Sequence, residues 1–220
     1  MLYKETITSE AFALLESLMQ KQLFNSFALT AGTALALRLA HRCSEDLDLW
    51  TTDIDFMYGG VLRTSVEREI KKMTKCEHRI NDPLRSVFIV NQTFKVDFIL
   101  DETPLIAPID VQDGIRMFSL QDIAALKLDA VAGYAPRRDK KDFFDLYTLV
   151  RKNIFSLRKI FSFFEQREGK SNFFDVLKNF LYNIDLADTS ANPRLATGEN
   201  FDWQNIKAYL KQVVRACIND

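Results

Sequence analysis

The chain has 220 residues, a length that suits one domain with an appendage or two small domains. Hydrophobic residues make up 47% of the sequence, so a sizeable core can form. The net charge of −1 excludes a strongly basic protein, and an RNA substrate would therefore need local basic patches. Three widely spaced cysteines match no zinc or disulfide pattern, and neither a membrane-spanning apolar run nor a signal peptide occurs. We therefore expect a cytoplasmic protein with no membrane contact.

The first predicted elements are a helix over residues 8–23 and a strand over residues 27–30. Gly32 and Thr33 follow in a predicted tight turn, before a short helix of strong helix formers at 34–39. Backbone N–H groups at a strand-to-helix turn attract phosphate, and a glycine lets the backbone approach a ligand closely because it has no Cβ. We therefore expect Gly32 and Thr33 to contact phosphate groups.

Residues 46–50 (DLDLW) alternate with a period of two, which predicts a strand. Asp46 and Asp48 then share one face of the strand, while the two leucines share the other. Two carboxylates so close together repel each other, and a divalent cation removes this conflict. Because Mg²⁺ is held by one or two carboxylates and by substrate phosphates, the stretch predicts a metal and triphosphate site. Asp53 and Asp55 are expected in a solvated acidic loop after the strand.

The string GTALALRLAHRCSEDLDLW at residues 32–50 resembles a known family. Gly-Thr followed by Asp-x-Asp is similar to the signature of the polymerase-β-like nucleotidyltransferase superfamily. More narrowly, the whole string, with His41, Arg42 and Ser44 in place, resembles the AbiEii/AbiGii group, the toxins of type IV toxin–antitoxin systems that act in abortive infection. Ala31 stands where this group usually has glycine, and Thr33 stands where the wider superfamily often has serine.

The resemblance implies an enzyme that uses a nucleoside triphosphate and has a cognate antitoxin as partner, and some members of the group modify the 3′ end of tRNA. It implies that Asp46 and Asp48 hold Mg²⁺ or Mn²⁺. The residues assigned to nucleotide binding in this stretch are Gly32, Thr33, Arg42 and Ser44.

Two β-rich runs at 84–90 and 94–100 predict an antiparallel hairpin. Asp97 is a carboxylate in the middle of the second run, where a structural reason is hard to find. The superfamily carries a third catalytic aspartate on a strand after the Asp-x-Asp, and FKVDFIL resembles that strand. The resemblance implies that Asp97 binds metal or accepts a proton as a general base. The alternative is a salt bridge from Asp97 to Lys95 or to a neighbouring residue.

Ser119 begins a capping box that predicts a helix to about residue 132. Lys127 lies among apolar residues of this helix, and such a lysine ordinarily extends its amine to solvent. The segment LQDIAALKLDAVAGY resembles the group's helix of the form DIxAxKLxAL, which implies that Lys127 reaches the nucleotide phosphates.

The segment RRDKKDFFDLYTLVRK at residues 137–152 resembles the group's final motif, KDxxDLYxL. The resemblance implies that Lys141, Asp142 and Asp145 help to shape the active site. The alternative is an ordinary helix surface with a Lys141–Asp145 pair. The same segment contains the densest basic cluster of the chain, a candidate for phosphate or RNA contact, formed by Arg137, Arg138, Lys140 and Lys141.

The patterns predict an α/β (α+β) fold, in which a small mixed sheet carries Asp46, Asp48 and Asp97 on one face. Residues 1–118 are expected to form a nucleotidyltransferase core, and residues 119–220 a helical region that completes the active site. The predicted function is metal-dependent transfer of a nucleoside monophosphate from a nucleoside triphosphate to an acceptor hydroxyl, with tRNA as the acceptor. The alternatives are transfer to a protein or small molecule, and a non-catalytic nucleotide-binding regulator.

Overall fold

A computed structural model describes residues 1–57, 59–169 and 171–219. The chain divides into two compact units. The first unit comprises Met1–Pro104 and Pro108–Phe118, and the second comprises Leu105–Ala107 and the chain from Ser119 onward. Across the described ranges, a mixed sheet of seven strands and eight α-helices confirm the predicted α/β class. None of the helices in these ranges is long and apolar enough to cross a membrane.

As far as the structure describes it, the first unit contains the seven-stranded sheet and three α-helices. The helices are α1 (Ser9–Met19), α2 (Ala31–Leu39) and α3 (Val61–Met73). The strands are β1 (Ala28–Leu29), β2 (Asp46–Thr51), β3 (Cys76–Asp82), β4 (Arg85–Val90), β5 (Phe94–Leu100), β6 (Asp110–Gln112) and β7 (Ile115–Met117). Their order in the sheet is β3-β4-β5-β2-β1-β7-β6. The β2–β5 and β1–β7 pairs are parallel, and the other neighbouring pairs are antiparallel.

The core of the first unit lies against one face of the sheet and fixes the register of β2. Leu47 and Leu49 are buried on this face. Phe98 of β5 is also buried there and contacts the rings of Phe24, Phe27, Phe56 and Phe88. A slip of one residue in β2 would exchange the leucines for the aspartates, so burial of the leucines holds both aspartates on the opposite face.

Several local predictions for this unit differ from the structure. Gly32 and Thr33 lie in the first turn of α2, not in a separate turn before it. The pattern of residues 61–76 predicts one amphipathic helix, whereas α3 ends at Met73 and the unpredicted strand β3 begins at Cys76. The turn residues of 103–117 predict a loop with a short strand at 115–118, and the structure has the β6–β7 hairpin in this segment.

The described part of the second unit is helical. Its helices are α4 (Leu120–Ala132), α5 (Lys140–Arg151), α6 (Leu157–Glu168), α7 (Phe173–Leu186) and α8 (Trp203–Asn219). The Ser119 hydroxyl accepts a hydrogen bond from the Asp122 N–H and caps α4, which confirms the predicted helix start. Its residue type makes Asp139 a candidate cap for α5, but Asp139 precedes that helix without a side-chain capping bond. Phe143 packs edge-on against Phe180 and Trp203 in the core of the unit.

Candidate active site

Strands β2 and β5 bring three aspartates together on one face of the sheet. The parallel register pairs Asp48 with Asp97 and pairs Asp46 with Lys95. The side chains of Asp46 and Asp48 are 35% and 20% exposed, whereas that of Asp97 is only 1% exposed. The two partly exposed carboxylates are therefore available to a ligand, while the third, beside Asp48, is buried.

Lys95 lies among these three carboxylates. Its Nζ is 3.6 Å from Asp46 Oδ2, 3.8 Å from Asp48 Oδ1 and 3.4 Å from Asp97 Oδ2. Because strand residues alternate between faces, Lys95 and Asp97 share a face two positions apart. Burial disfavours the charged amine, but the carboxylates of Asp48, Asp46 and Asp97 outweigh it and raise the pKa of Lys95 above its ordinary value.

Arg85 of β4 holds Asp97 from the other side. Its Nε donates to both carboxylate oxygens of Asp97, at 2.9 and 3.0 Å, and its Nη2 donates to Oδ2. The bond to Asp97 is the main cause of the raised pKa of the Arg85 guanidinium, against the opposing effect of burial. The salt bridge of Asp97 to Lys95, which was the alternative to a catalytic role, is also present. The role of Arg85 in holding Asp97 was not predicted, although alternation along β4 places Arg85 on the same face of the sheet as Asp97.

The three carboxylates fit a hard divalent cation chemically, but they are not arranged as a finished metal cage. Their oxygens are the ligand type that Mg²⁺ and Mn²⁺ prefer. Within the described ranges, no three His, Cys, Asp or Glu side chains converge closely enough to hold a metal ion. The carboxylates instead face Lys95 and Arg85, and three negative groups against two positive ones leave one negative charge. The cluster therefore still attracts cations.

The first turn of α2 is fixed directly beside these aspartates. The Thr30 N–H donates to the backbone oxygen of Asp48 at 2.9 Å, and the Thr33 hydroxyl donates to that of Asp46. The Thr33 hydroxyl is also hydrogen-bonded to the Ser44 hydroxyl at 2.7 Å, and Thr33 is fully buried. The Thr33 hydroxyl therefore joins α2 to β2 and to Ser44 just before that strand, and the predicted nucleotide contact of Thr33 and Ser44 stays a prediction.

Gly32 makes room for the side chain of Arg42. A Cβ at Gly32 would lie 2.1 Å from Arg42 Nη2 and 3.1 Å from Cζ. Arg42 is buried, and its Nη1 donates to the backbone oxygen of Cys43 at 3.1 Å. A cationic guanidinium thus lies against the positive end of α2, which is an arrangement suited to an anion. The glycine is explained by this close approach as well as by the predicted ligand.

The predicted site residues of the second unit form a buried ion cluster. Lys127 Nζ lies 2.6 Å from Asp142 Oδ1 and 2.6 Å from Asp145 Oδ2, and all three side chains are buried. Burial disfavours the charged form of Asp142, but Lys127 and Arg137 outweigh it and lower the pKa of this carboxyl. Lys127 therefore does not extend its amine to solvent, and Asp142 and Asp145 do not lie on an exposed helix surface. A catalytic role for these residues and for the half-buried Lys141 stays a prediction.

The basic cluster around the start of α5 is smaller than predicted. Arg137 and Arg138 are exposed, but Lys140 is buried. The Lys140 amine donates to the Ser190 backbone oxygen at 2.8 Å and to Asn192 at 3.0 Å, and therefore does not contribute to a surface patch. Tyr134, three residues before Arg137, is fully exposed.

Comparison with known proteins extends the resemblance to almost the entire chain. The family described as nucleotidyl transferase AbiEii toxin, type IV toxin–antitoxin system, matches residues 13–216. An uncharacterized protein of Aquifex aeolicus is 27% identical over 202 residues, which cover 90% of this chain and 94% of that protein.

Two crystal structures of Helicobacter pylori proteins share the fold. One protein, provisionally assigned as a nucleotidyltransferase, is 19% identical with a TM-score of 0.59, and the match covers 95% of both chains. The other, JHP933, is 18% identical with a TM-score of 0.56, and the match covers 96% of this chain and 92% of that one. The family match and the shared fold confirm the resemblance seen in residues 32–50. The chain therefore belongs to the AbiEii family of type IV toxin–antitoxin systems, and it is an enzyme of the nucleotidyltransferase class.

Proposed function

We propose that this enzyme transfers a nucleoside monophosphate from a nucleoside triphosphate to a hydroxyl of tRNA in the cytoplasm, and that a cognate antitoxin opposes it. The observation that carries the proposal is the position of Asp46, Asp48 and Asp97 on one sheet face, beside the first turn of α2. Carboxylates next to a helix N-terminus suit a triphosphate only when a cation neutralises them.

Each part of the cluster has a proposed role. Asp46, Asp48 and Asp97 would hold Mg²⁺ or Mn²⁺, which when bound neutralises the triphosphate and stabilises charge on the reacting oxygens. The backbone N–H groups of Gly32 and Thr33 would bind the β- and γ-phosphates. The nearby guanidinium of Arg42 would add a positive charge to the same pocket, and Ser44 would hold Thr33 in place.

The proposed reaction is an in-line displacement at the α-phosphorus. A bond forms between the acceptor hydroxyl oxygen and the α-phosphorus, while the bond from that phosphorus to the α–β bridging oxygen breaks. Pyrophosphate leaves with the bridging oxygen. The hydroxyl proton passes to a carboxylate of the cluster.

The acceptor assignment is supported by exposed groups on the second unit. Single-stranded RNA is bound by aromatic rings that stack on bases and by cations that contact phosphates. Tyr134 is fully exposed, and Arg137 and Arg138 follow it on the same short connection between α4 and α5. Replacing all three by alanine should therefore weaken labelling of tRNA.

In the same unit, Lys127, Asp142, Asp145 and Lys141 stay proposed site residues, and the first three join α4 to α5.

The test is a label-transfer experiment. The protein is incubated with Mg²⁺, total tRNA and each α-³²P-labelled nucleoside triphosphate in turn, and the Asp46→Ala/Asp48→Ala variant is run beside it. The matched control is Asp53→Ala/Asp55→Ala, which removes two aspartates of the same spacing from the adjacent segment, where the Asp53 side chain accepts a hydrogen bond from the Asp55 N–H. Label on RNA with the wild type and the control, but not with the site variant, is the expected result.

Two alternatives have their own outcomes in this experiment. A net charge of −1 is compatible with transfer to a protein or small-molecule hydroxyl, and label on such a product in a lysate would favour that acceptor. Tight nucleotide binding with no labelled product anywhere would favour a non-catalytic regulator. Label transfer that survives Asp46→Ala/Asp48→Ala would refute the proposed site.

A further inference from the structure

We propose that Lys95 occupies the cation position of the aspartate cluster in the metal-free protein and leaves it when a divalent cation binds. Lys95 is then a positioning residue that keeps the three carboxylates together and limits their affinity for metal. The inference rests on the proposed function, because it takes Asp46, Asp48 and Asp97 as the metal ligands.

The position of the ammonium carries the argument. Lys95 Nζ is nearly equidistant from the three carboxylates, with separations from 3.4 to 3.8 Å. An ordinary salt bridge joins one lysine to one acid, whereas this amine serves acids on two strands. It therefore lies where a shared cation would balance the repulsion among the three groups.

Lys95 and a bound metal ion exclude each other. Mg²⁺ binds carboxylate oxygens at about 2.0–2.1 Å, so an ion bound to these oxygens would lie within the space that the ammonium now fills. Two positive centres in contact would also repel each other strongly. Metal binding therefore requires the lysine side chain to move away.

The two cationic residues at the cluster differ in their ability to move. Arg85 holds both oxygens of Asp97 in a rigid fork, and such bidentate contacts fix geometry. Lys95 carries a compact charge on a flexible stem, and only its contact with Asp97 is short enough to count as a hydrogen bond. Arg85 therefore orients Asp97, while Lys95 can exchange with an incoming cation.

The first experiment measures Mn²⁺ binding by electron paramagnetic resonance, without nucleotide. Lys95→Met removes the competing charge and should tighten Mn²⁺ binding by about tenfold or more. The matched control, Lys75→Met, removes an exposed lysine just before the edge strand β3 and should change the affinity by less than about twofold. An affinity of Lys95→Met equal to or weaker than that of the wild type would overturn the inference.

A third variant separates this inference from the metal site itself. If Asp48→Asn abolishes Mn²⁺ binding while Lys95→Met leaves it unchanged, the metal site stands and the role of Lys95 is refuted. If neither the wild type nor Lys95→Met binds Mn²⁺, both the metal site and the role of Lys95 are refuted.

A second measurement uses the wild type, so it does not depend on the stability of a variant. Lysines are acylated with and without Mn²⁺, and the modified residues are quantified by mass spectrometry. Release of the Lys95 amine from the carboxylates should raise its acylation severalfold, while acylation of Lys75 stays constant. An unchanged Lys95 signal at saturating Mn²⁺ would overturn the inference.

Discussion

Helix α2 carries alanine in the left-handed backbone region at both of its ends. Ala31 has a φ of 55° at the first position of the helix, and Ala40 has a φ of 50° just after its last residue. Glycine adopts this conformation without strain, whereas the Cβ of an L-residue contacts the backbone. We therefore predict that Ala31→Gly and Ala40→Gly each stabilise the protein.

The expected gain is the difference between two opposing contributions. The left-handed conformation costs an L-residue about 1–2 kcal/mol. Glycine loses more backbone entropy on folding, which costs about 0.5–1 kcal/mol. Because Ala31 and Ala40 are both partly exposed, little packing is lost with the methyl group. Each substitution should therefore raise the free energy of unfolding by about 0.5–1 kcal/mol.

The same substitution inside the helix should have the opposite sign and provides the control. Ala34 is fully buried within α2. Ala34→Gly loses helix propensity and a buried methyl group, and should lower the free energy of unfolding by about 1–2 kcal/mol. Urea unfolding of the three variants and the wild type, with linear extrapolation to water, measures all of these differences.

The sign of each change decides whether backbone strain is the cause. If Ala31→Gly and Ala40→Gly destabilise the protein as Ala34→Gly does, the left-handed conformation does not strain these alanines and the reasoning fails. Confirmation would mean that the backbone favours glycine at position 31 independently of any nucleotide.

Three further predictions concern buried contacts. Lys127→Met leaves two buried carboxylates without their amine and should cost about 3–5 kcal/mol in urea unfolding, with partial recovery when Asp142→Asn or Asp145→Asn is added. The pKa of Asp142 is lowered below its ordinary value of 3.8. The ionised carboxylate therefore contributes its full stabilisation above pH 3.8, and this stabilisation is lost as the pH falls through the lowered pKa. Thermal unfolding in acid should therefore depend less on pH in Asp142→Asn than in the wild type, and equal dependence would contradict the ion pair. Gly32→Ala should destabilise the wild type more than it destabilises the Arg42→Ala variant, because the new methyl group collides with the guanidinium of Arg42. If the effects of the two substitutions on the free energy of unfolding in urea are purely additive, this collision does not occur.

Elements with a regular apolar pattern could be predicted from the sequence, and those without one could not. The β4–β5 hairpin and the helices of the second unit were predicted because their buried positions recur at strand or helix spacing. Strand β3 lies at the edge of the sheet, and most of its described side chains are polar and exposed or partly exposed, so it lacks that pattern. Its pairing with β4 is also interrupted by an irregularity between His78 and Ile80.

The candidate site was predictable only in part for a similar reason. Alternation along β2 places Asp46 and Asp48 on one face, and resemblance to the family added Asp97 and Lys127. No local pattern shows that Lys127 is buried against Asp142 and Asp145, because the lysine belongs to α4 and both aspartates belong to α5. Burial of the amine is tolerated because two carboxylates compensate its charge.

The sequence by itself determined which side chains share a face and to which family the chain is similar, because both depend on residues that are close along the chain. Only the tertiary structure decided which charges meet. The parallel pairing of β2 with β5 places Lys95 beside Asp46, and β4 brings Arg85 to Asp97. The charge balance at the proposed metal site therefore depends on strand order, which the periodicity of a single strand does not contain.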